Sequence, residues 1–329
     1  MLYSILKKIH FEGTIVFISS NNTIHKFGNG SPVVKVRLTN KSIEKKLFRN
    51  PGLHFGEGYM NGEIVLEEGS IEQLIDIVTL SYDDFVRNNF IYRIYENFSG
   101  YFKVFQQLNE AIKSKKNVAH HYDLKEDLYR LFLDKDMQYS CAYFHNQNIS
   151  LDQAQIDKKN HIINKLNITD NMEVLDIGCG WGGMAIDIAK QTGAKVKGIT
   201  LSENQFSTAS KRAQEEGLSE KVSFQIQDYR NEIQKYDRIV SIGMFEHVGI
   251  KYFREYLKKT YELLKDNGVF LLHTIGQRGI PTATSPWIRK YIFPGGYIPS
   301  LSDIINETQK LNINITDIEI LRLHYAHTL

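Results

Sequence analysis

From residue 160 onward the order of apolar and polar positions switches regularly between two patterns. Short, β-branched apolar runs predict strands at 173–177, 195–200, 222–227, 238–242 and 269–274, and helical windows lie between them at 183–192, 203–216 and 251–265. Strands alternating with helices of this length predict an α/β fold built on a doubly wound parallel sheet. The first 80 residues follow a different pattern. Gly13-Thr14-Ile15-Val16-Phe17-Ile18 and Pro32-Val33-Val34-Lys35-Val36-Arg37-Leu38 predict short strands, with Asn21-Asn22 and Gly28-Asn29-Gly30-Ser31 as turns between them. Aromatic residues at helical spacing (Phe85, Tyr92, Tyr95, Tyr101, Phe105) lead to a basic end, Lys113-Ser114-Lys115-Lys116. The expected organisation is a small N-terminal α+β domain over 1–80, a helical connector over 81–116 and the α/β domain over 117–329.

Composition removes several classes of protein. At 42% hydrophobic and 24% charged residues the chain is ordinary globular material, which excludes bulk disorder and collagen-like or coiled-coil arrays. Forty Lys and Arg against 38 Asp and Glu give a formal charge of +2, which is no nucleic-acid signature. Two cysteines, Cys141 and Cys179, cannot form a disulfide framework, so a reducing cytoplasm is expected. The first residues lack a long apolar stretch and no later apolar run reaches about 18 residues, so neither secretion nor a membrane span is expected; contact with a membrane from one side stays open. Charge is uneven at the start. Residues 1–50 carry nine Lys or Arg and two acids, residues 51–90 one Arg and eight acids. Either the two halves cancel within one small domain, or a basic face meets anionic headgroups.

The strongest local signal is Val174-Leu175-Asp176-Ile177-Gly178-Cys179-Gly180-Trp181-Gly182-Gly183, a strand running through glycines into a helix. Glycine is needed where the chain turns sharply and where a cofactor approaches the backbone. The spacing of Gly178, Gly180 and Gly183 also fits a dinucleotide fingerprint, so alone it leaves NAD, S-adenosylmethionine (SAM) and mere tight helix–strand packing open. A dinucleotide site wants an acid at the end of the second strand, where this chain has Gly198-Ile199-Thr200. The third strand instead ends Gln227-Asp228-Tyr229, where Asp228 can accept from an adenine amino group and Tyr229 can pack on the ring. That combination favours SAM over NAD.

Ligands of open parallel sheets bind at the carboxyl ends of the strands, where strand order reverses. With order 3-2-1-4-5 the fourth strand delivers Glu246 in Gly243-Met244-Phe245-Glu246-His247, and the fifth delivers His273 in Leu271-Leu272-His273-Thr274-Ile275-Gly276, to one cleft. Singly, each has an ordinary reading. His273 fits a hydrogen-bonded core histidine, Glu246 a first-turn helix acid, and Cys141 a small buried hydrophobe. The case for chemistry is their convergence.

At this point a resemblance becomes specific. Asp136-Met137-Gln138-Tyr139-Ser140-Cys141-Ala142-Tyr143-Phe144, the glycine loop, residues 238–248, and residues 271–276 followed by Tyr291-Ile292-Phe293-Pro294-Gly295-Gly296 resemble the cyclopropane-fatty-acyl-phospholipid synthases and their mycolic-acid relatives. Asn117-Val118-Ala119-His120-His121-Tyr122-Asp123 does so too, and Gly56-Glu57-Gly58-Tyr59-Met60-Asn61-Gly62-Glu63 less tightly. The likeness covers nearly the whole chain. It implies a Rossmann-like class I SAM-dependent methyltransferase that adds a methylene group to the double bond of unsaturated acyl chains in membrane phospholipids. It further implies SAM contacts from Tyr139, Ser140, Gly178, Gly180, Thr200 and Gln205, with Gln227, Asp228 and Tyr229 over the adenine. Thr200 accounts for the missing acid, since the family places Thr-x-x-x-x-Gln there. Family members hold a bicarbonate ion near the reacting carbon, and the matching residues are Cys141, Glu246, His273, Ile275 and Tyr325, with Cys141 and Ile275 contributing backbone N–H groups. A metal is not implied. Peripheral attachment to the inner face of the membrane and a homodimer are further implications. Pro286-Trp287-Ile288-Arg289-Lys290-Tyr291-Ile292-Phe293-Pro294 interleaves aromatic, basic and apolar residues, as a headgroup-facing segment or tunnel mouth would, or is an insertion packed on the sheet.

One departure stands out. In the family the motif around Tyr325 is followed by several tens of further residues, mostly helical, that help enclose the substrate, whereas this chain ends at Leu329; it therefore reads as truncated, and if the missing part closes the acyl pocket it is expected to bind SAM yet turn over poorly or not at all. The competing readings are a SAM enzyme acting on another acceptor, giving a methyl branch or a methylated small molecule, and a SAM- or lipid-binding protein without turnover.

Overall fold

The structure, a computed structural model, describes residues 2–88, 126–277, 284–293 and 295–329. They divide into two compact units: 2–88 with 284–292, and 126–277 with 293 and 295–329. The resemblance at Asn117–Asp123 and the connector beyond residue 88 lie outside the described residues.

In the first unit β1 (Glu12–Ile18), β2 (Ile24–Leu38) and β3 (Ile64–Glu68) form one sheet. The expected Gly28–Ser31 turn is instead a bend inside β2. Gly28 and Gly30 take left-handed φ of 73° and 86° there, and β1 lies beside both halves of the bent strand, with Thr14 opposite Gly28 in one and Val33 in the other. The stretch Ile24–Phe27 was not legible as strand because only Phe27 of it is buried. Helices Lys41–Arg49 and Ile71–Asn88 close the core through Ile43, Leu47, Leu74 and Ile77 against Ile15, Val34, Val36 and Ile64. The uneven charges meet here: Arg37 pairs with Glu67, and Lys46 with Glu63 at 3.2 Å. Such exposed pairs add little stability; they join residues of the basic half to residues of the acidic half.

Helix Pro286–Tyr291 packs on helix Pro51–Met60 of this unit. This gives the Gly56–Glu63 motif its physical reason. A Cβ on Gly56 would lie 2.4 Å from the indole of Trp287, and Glu57 accepts from Lys290 Nζ at 2.6 Å and from Tyr291 Oη at 2.9 Å. Gly→Ala in a helix ordinarily stabilises by about 1 kcal/mol. Here the indole must move, so Gly56→Ala is expected to destabilise by about 1–3 kcal/mol; a higher urea midpoint than the wild type would refute this packing.

The second unit is built on β4 (Glu173–Ile177), β5 (Lys195–Thr200), β6 (Val222–Ile226), β7 (Tyr236–Ile242) and β8 (Leu264–His273), all parallel, in the order β6-β5-β4-β7-β8. This is the expected 3-2-1-4-5 order, and it reverses beside β4. Alternation along β4 sends Val174 to a core shared with helices Leu151–Leu166, Gly183–Thr192 and Glu203–Glu215. Leu175 and Ile177 enter the opposite core with Ile239, Phe245, Tyr256 and Leu257. β8 starts five residues before the expected strand: Tyr236 pairs with Leu264, and the register then shifts so that Arg238 faces Val269. The intervening Asp266-Asn267-Gly268 reads as a turn in sequence, and Asn267 does adopt a left-handed φ of 62°.

One cluster of charge is embedded in this unit. Lys159, with 5% of its side chain exposed, pairs with Asp136 at 2.5 Å and Asp187 at 2.6 Å. Arg212 also grips Asp136 and donates to Trp181 O at 2.8 Å.

Candidate active site

A cavity opens at the carboxyl ends of β4, β5, β6 and β7. It is lined by Tyr139, Ser140, Gly178, Gly180, Thr200, Gln205, Gln227, Asp228 and Tyr229, the nine residues expected to hold SAM, together with Asp176, Trp181, Met244 and His247. The glycine loop is shaped as a cradle. Gly180 has φ 54° and nothing within 4 Å of where a Cβ would stand, while Gly178, at φ 79°, would press a Cβ to 2.8 Å from the Met244 side chain. Thr200 donates to Gln205 Oε1 at 2.8 Å and accepts from Ser202 N–H. With its oxygen occupied in this way, the buried Gln205 amide turns its NH₂ donors away from Thr200.

At the far end of the cavity the three residues expected over the adenine also hold the surrounding structure together. Tyr229 is buried edge-on against Tyr256 at 4.9 Å, and the Arg230 guanidinium lies over its ring at 5.3 Å. Asp228 caps the turn that follows, accepting from Arg230 N–H and Nε at 3.0 and 2.9 Å. Gln227 donates to Glu232 Oε2 at 2.9 Å, which also holds Lys197 at 2.6 Å. Tyr229 thus serves the core as much as the cavity.

Beneath Tyr139 and Ser140 lie two residues that sequence reading did not single out. Lys158 Nζ donates to Ser140 Oγ at 2.7 Å and to Gln138 Oε1 at 3.0 Å; Gln155 Nε2 donates to Ser140 O at 2.9 Å. Burial pulls the Lys158 ammonium down to about 7 and pushes the Asp176 carboxyl up to about 7. A signal was present: Lys158 occupies the core stripe of its helix, four residues from both Ala154 and Ile162, which are buried.

The second group of expected residues gathers beside the cavity. The loop after β7 lines the cavity with Gly243 and Met244 and two residues later buries Glu246. Glu246 Oε1 accepts from Ile275 N–H at 2.6 Å, so this N–H, expected to face an anion, is met by Glu246. Glu246 Oε2 and His273 Nδ1 are enclosed and have no partner among the described residues. Burial raises the Glu246 carboxyl, against the pull of Ile275 N–H and Thr274, and lowers the His273 ring to about 4. Tyr325 has its hydroxyl pushed up by burial and by Tyr139, Glu246 and Cys141. The buried Cys141 thiol is pushed up by burial as well. Helix His324–Thr328 is fixed against this region by Ala142 N–H donating to Thr328 Oγ1 at 2.9 Å and Phe144 N–H to His324 Nδ1 at 3.0 Å.

Comparison with known proteins agrees with this geometry. Residues 109–329 match the family described as mycolic acid cyclopropane synthetase, and residues 3–90 match a domain of unknown function. A probable fatty acid methyltransferase of Pseudomonas putida is 42% identical over 64% of this chain and 56% of its own length. The cyclopropane-fatty-acyl-phospholipid synthase of Escherichia coli strain K12 is 36% identical over 85% of this chain and 71% of its own length. Among solved structures, the cyclopropane synthase MmaA2 from Mycobacterium tuberculosis has 34% identity and a TM-score of 0.62, covering 67% of this chain and 81% of that one. The mycolic acid cyclopropane synthase CmaA1, solved with SAH and CTAB, has 34% identity and a TM-score of 0.61, covering 65% of this chain and 80% of that one. The parallel order of the sheet, the glycine cradle at its reversal and the match over 109–329 together make this chain a member of the mycolic acid cyclopropane synthetase family.

Proposed function

We propose that this chain transfers a methylene group from SAM to the double bond of an unsaturated phospholipid acyl chain, giving a cyclopropane ring. The observation that carries the reading is the loop after β7, which lines the cavity at Gly243 and Met244 and delivers Glu246 with an unpartnered, enclosed oxygen. SAM supplies an electrophilic sulfonium methyl group. Attack by the alkene would bond the methyl carbon to the acyl chain as its bond to sulfur breaks, releasing S-adenosylhomocysteine and leaving a cation on the acyl chain; loss of one proton from the new methyl then closes the ring.

An alkene is a weak nucleophile, so the work of the protein is to align it with the methyl group and exclude water from the cation. Tyr139 offers an aromatic face at the cavity, and such faces stabilise cations. The enclosed Glu246 Oε2 and His273 Nδ1 fit a small group that both donates and accepts hydrogen bonds. Bicarbonate is such a group, and when bound it supplies an oxygen able to take the departing proton. Glu246, His273 and Tyr325 would hold it, Glu246 as acceptor of its hydrogen, with the backbone at Cys141 and Ile275 alongside.

Reaching acyl chains requires peripheral contact with a bilayer, on its inner face in this reading; among the described residues no helix is long and apolar enough to cross one. The test is mass spectrometry of fatty acids after the chain meets SAM and vesicles of unsaturated anionic phospholipid. A product one methylene heavier and resistant to oxidative cleavage of double bonds supports ring formation. Identity of 42% to a probable fatty acid methyltransferase favours one second reading, in which the same mass increase comes with a methyl branch. Cofactor use is tested at the cradle: Gly180→Val puts a branched side chain into the cavity at a left-handed φ and is expected to weaken SAH binding at least ~10-fold by calorimetry. Wild-type affinity in this variant would remove the cradle from the cofactor site.

A further inference from the structure

Lys158 is 2% exposed, and its ammonium is one of the few charges in the second unit's core that the proposed chemistry does not use. Its surroundings are specific. Lys159 is held by Asp136 and Asp187, Asp136 is shared with Arg212, and Asp134 accepts the backbone N–H groups of Asp136 and Gln138 at 3.1 and 2.7 Å. Among the described residues no carboxylate stands within ion-pair distance of Lys158; its two hydrogen bonds go to Ser140 Oγ and Gln138 Oε1. Asp134, Asp136 and Asp176 act on it only without direct contact, and an enclosed cation with no directly paired carboxylate is costly, a cost that an anion bound nearby relieves.

The two hydrogen bonds also fix a direction. An ammonium can only donate, so Ser140 Oγ must accept from it, and the serine proton has to point to another acceptor. Ser140 lines the cavity over the end of β7, where its Cβ is 3.8 Å from a Cβ built on Gly243. Gln227 to Arg230 line the other end, after β6. Three strand spacings separate β6 from β7 in the sheet, roughly 14 Å, which suits a ligand with a purine at one end and an amino acid at the other. We infer that Lys158 is a positioning residue for the carboxylate of the bound cofactor, fixing Ser140 as a hydrogen-bond donor into the cavity.

This rests on the SAM reading, and the experiment separates the two. Two ligands are compared by calorimetry: SAH, and 5′-methylthioadenosine, which keeps the adenosine and the sulfur but lacks the amino-acid end. The wild type is expected to bind both. Lys158→Met, similar in length and uncharged, is expected to weaken SAH roughly 10–100-fold and leave methylthioadenosine unchanged. Ser140→Ala should show the same selective loss, and adding Lys158→Met to it should cost little more, because the lysine acts through the serine. Equal losses for both ligands mean a merely structural lysine and overturn the inference, as does wild-type SAH affinity in Lys158→Met. Should Lys158→Met fail to fold, Ser140→Ala decides alone: undiminished SAH affinity overturns the inference. A wild type that binds neither ligand overturns the SAM reading itself, and this inference with it.

Discussion

Replacing Glu246 by glutamine is expected to slow ring formation by roughly 10²–10⁴-fold, the range for loss of a group that positions a proton transfer. SAH affinity should stay within about 3-fold, since the cavity is lined by Gly243 and Met244 but not by Glu246 itself. The carboxylate and the amide are nearly the same size, so packing against the opposite core survives. What changes is the hydrogen-bond inventory. Glutamate offers two acceptor oxygens, of which Oε1 is taken by Ile275 N–H and Oε2 is free to accept; glutamine keeps one oxygen for Ile275 and presents an NH₂ where an acceptor stood. Quantified product and calorimetric affinity on the same preparation check the split. Wild-type rates in the variant would exclude Glu246 from the proton-handling role, and equal losses of rate and affinity would make it a cofactor contact.

Asp136→Asn carries the largest expected loss of stability, about 3 kcal/mol in urea unfolding at pH 7. Asp136 joins Lys159 and Arg212, and the asparagine would leave Lys159 with Asp187 alone and Arg212 with backbone oxygens. The pH dependence follows from the direction of the shift. Burial pushes the Asp136 carboxyl up, but Arg212 and Lys159 outweigh it and hold it below its usual 3.8. Its contribution is therefore full above the unfolded value and is lost as the pH falls through the lower folded one. The difference between wild type and variant should narrow below about pH 4. A gap at pH 3 as large as at pH 7 would assign the effect to shape and not to charge.

The strands bearing the glycine loop were legible almost to the residue because the aliphatic positions of β4 and β5 (Val174, Leu175, Ile177, Val196 and Ile199) are all buried and the two runs end at a glycine and a threonine. β8 was shortened because Asp266-Asn267-Gly268 has the composition of a turn and is carried inside the strand by a register shift. Glu246 and His273 could be paired from topology alone, since strand order brings neighbouring loops together. Tyr325 and Cys141 could not: their meeting depends on hydrogen bonds between residues 186 and 180 positions apart, and only resemblance to a family pointed to them. Lys158 was passed over for a different reason. A lysine in a helix reads as a solvated face unless its place in the apolar stripe is noticed. The first unit shows a similar limit, for nothing in Gly56 itself announces that an indole 231 positions along the chain will rest on it.

The bonds from Ala142 to Thr328 and from Phe144 to His324 also bear on how the enzyme is made. At 5–20 residues per second, a ribosome needs roughly 10–40 s to progress from one partner to the other. By then β4 to β7 and the helix bearing Gln155 and Lys158 have been synthesised, so the cofactor cradle can fold on the nascent chain well before the residues that surround Tyr325 exist. A nascent chain of this protein is therefore expected to pass through a stage at which the glycine cradle is formed but the side of the cavity region that carries Tyr325 is still missing.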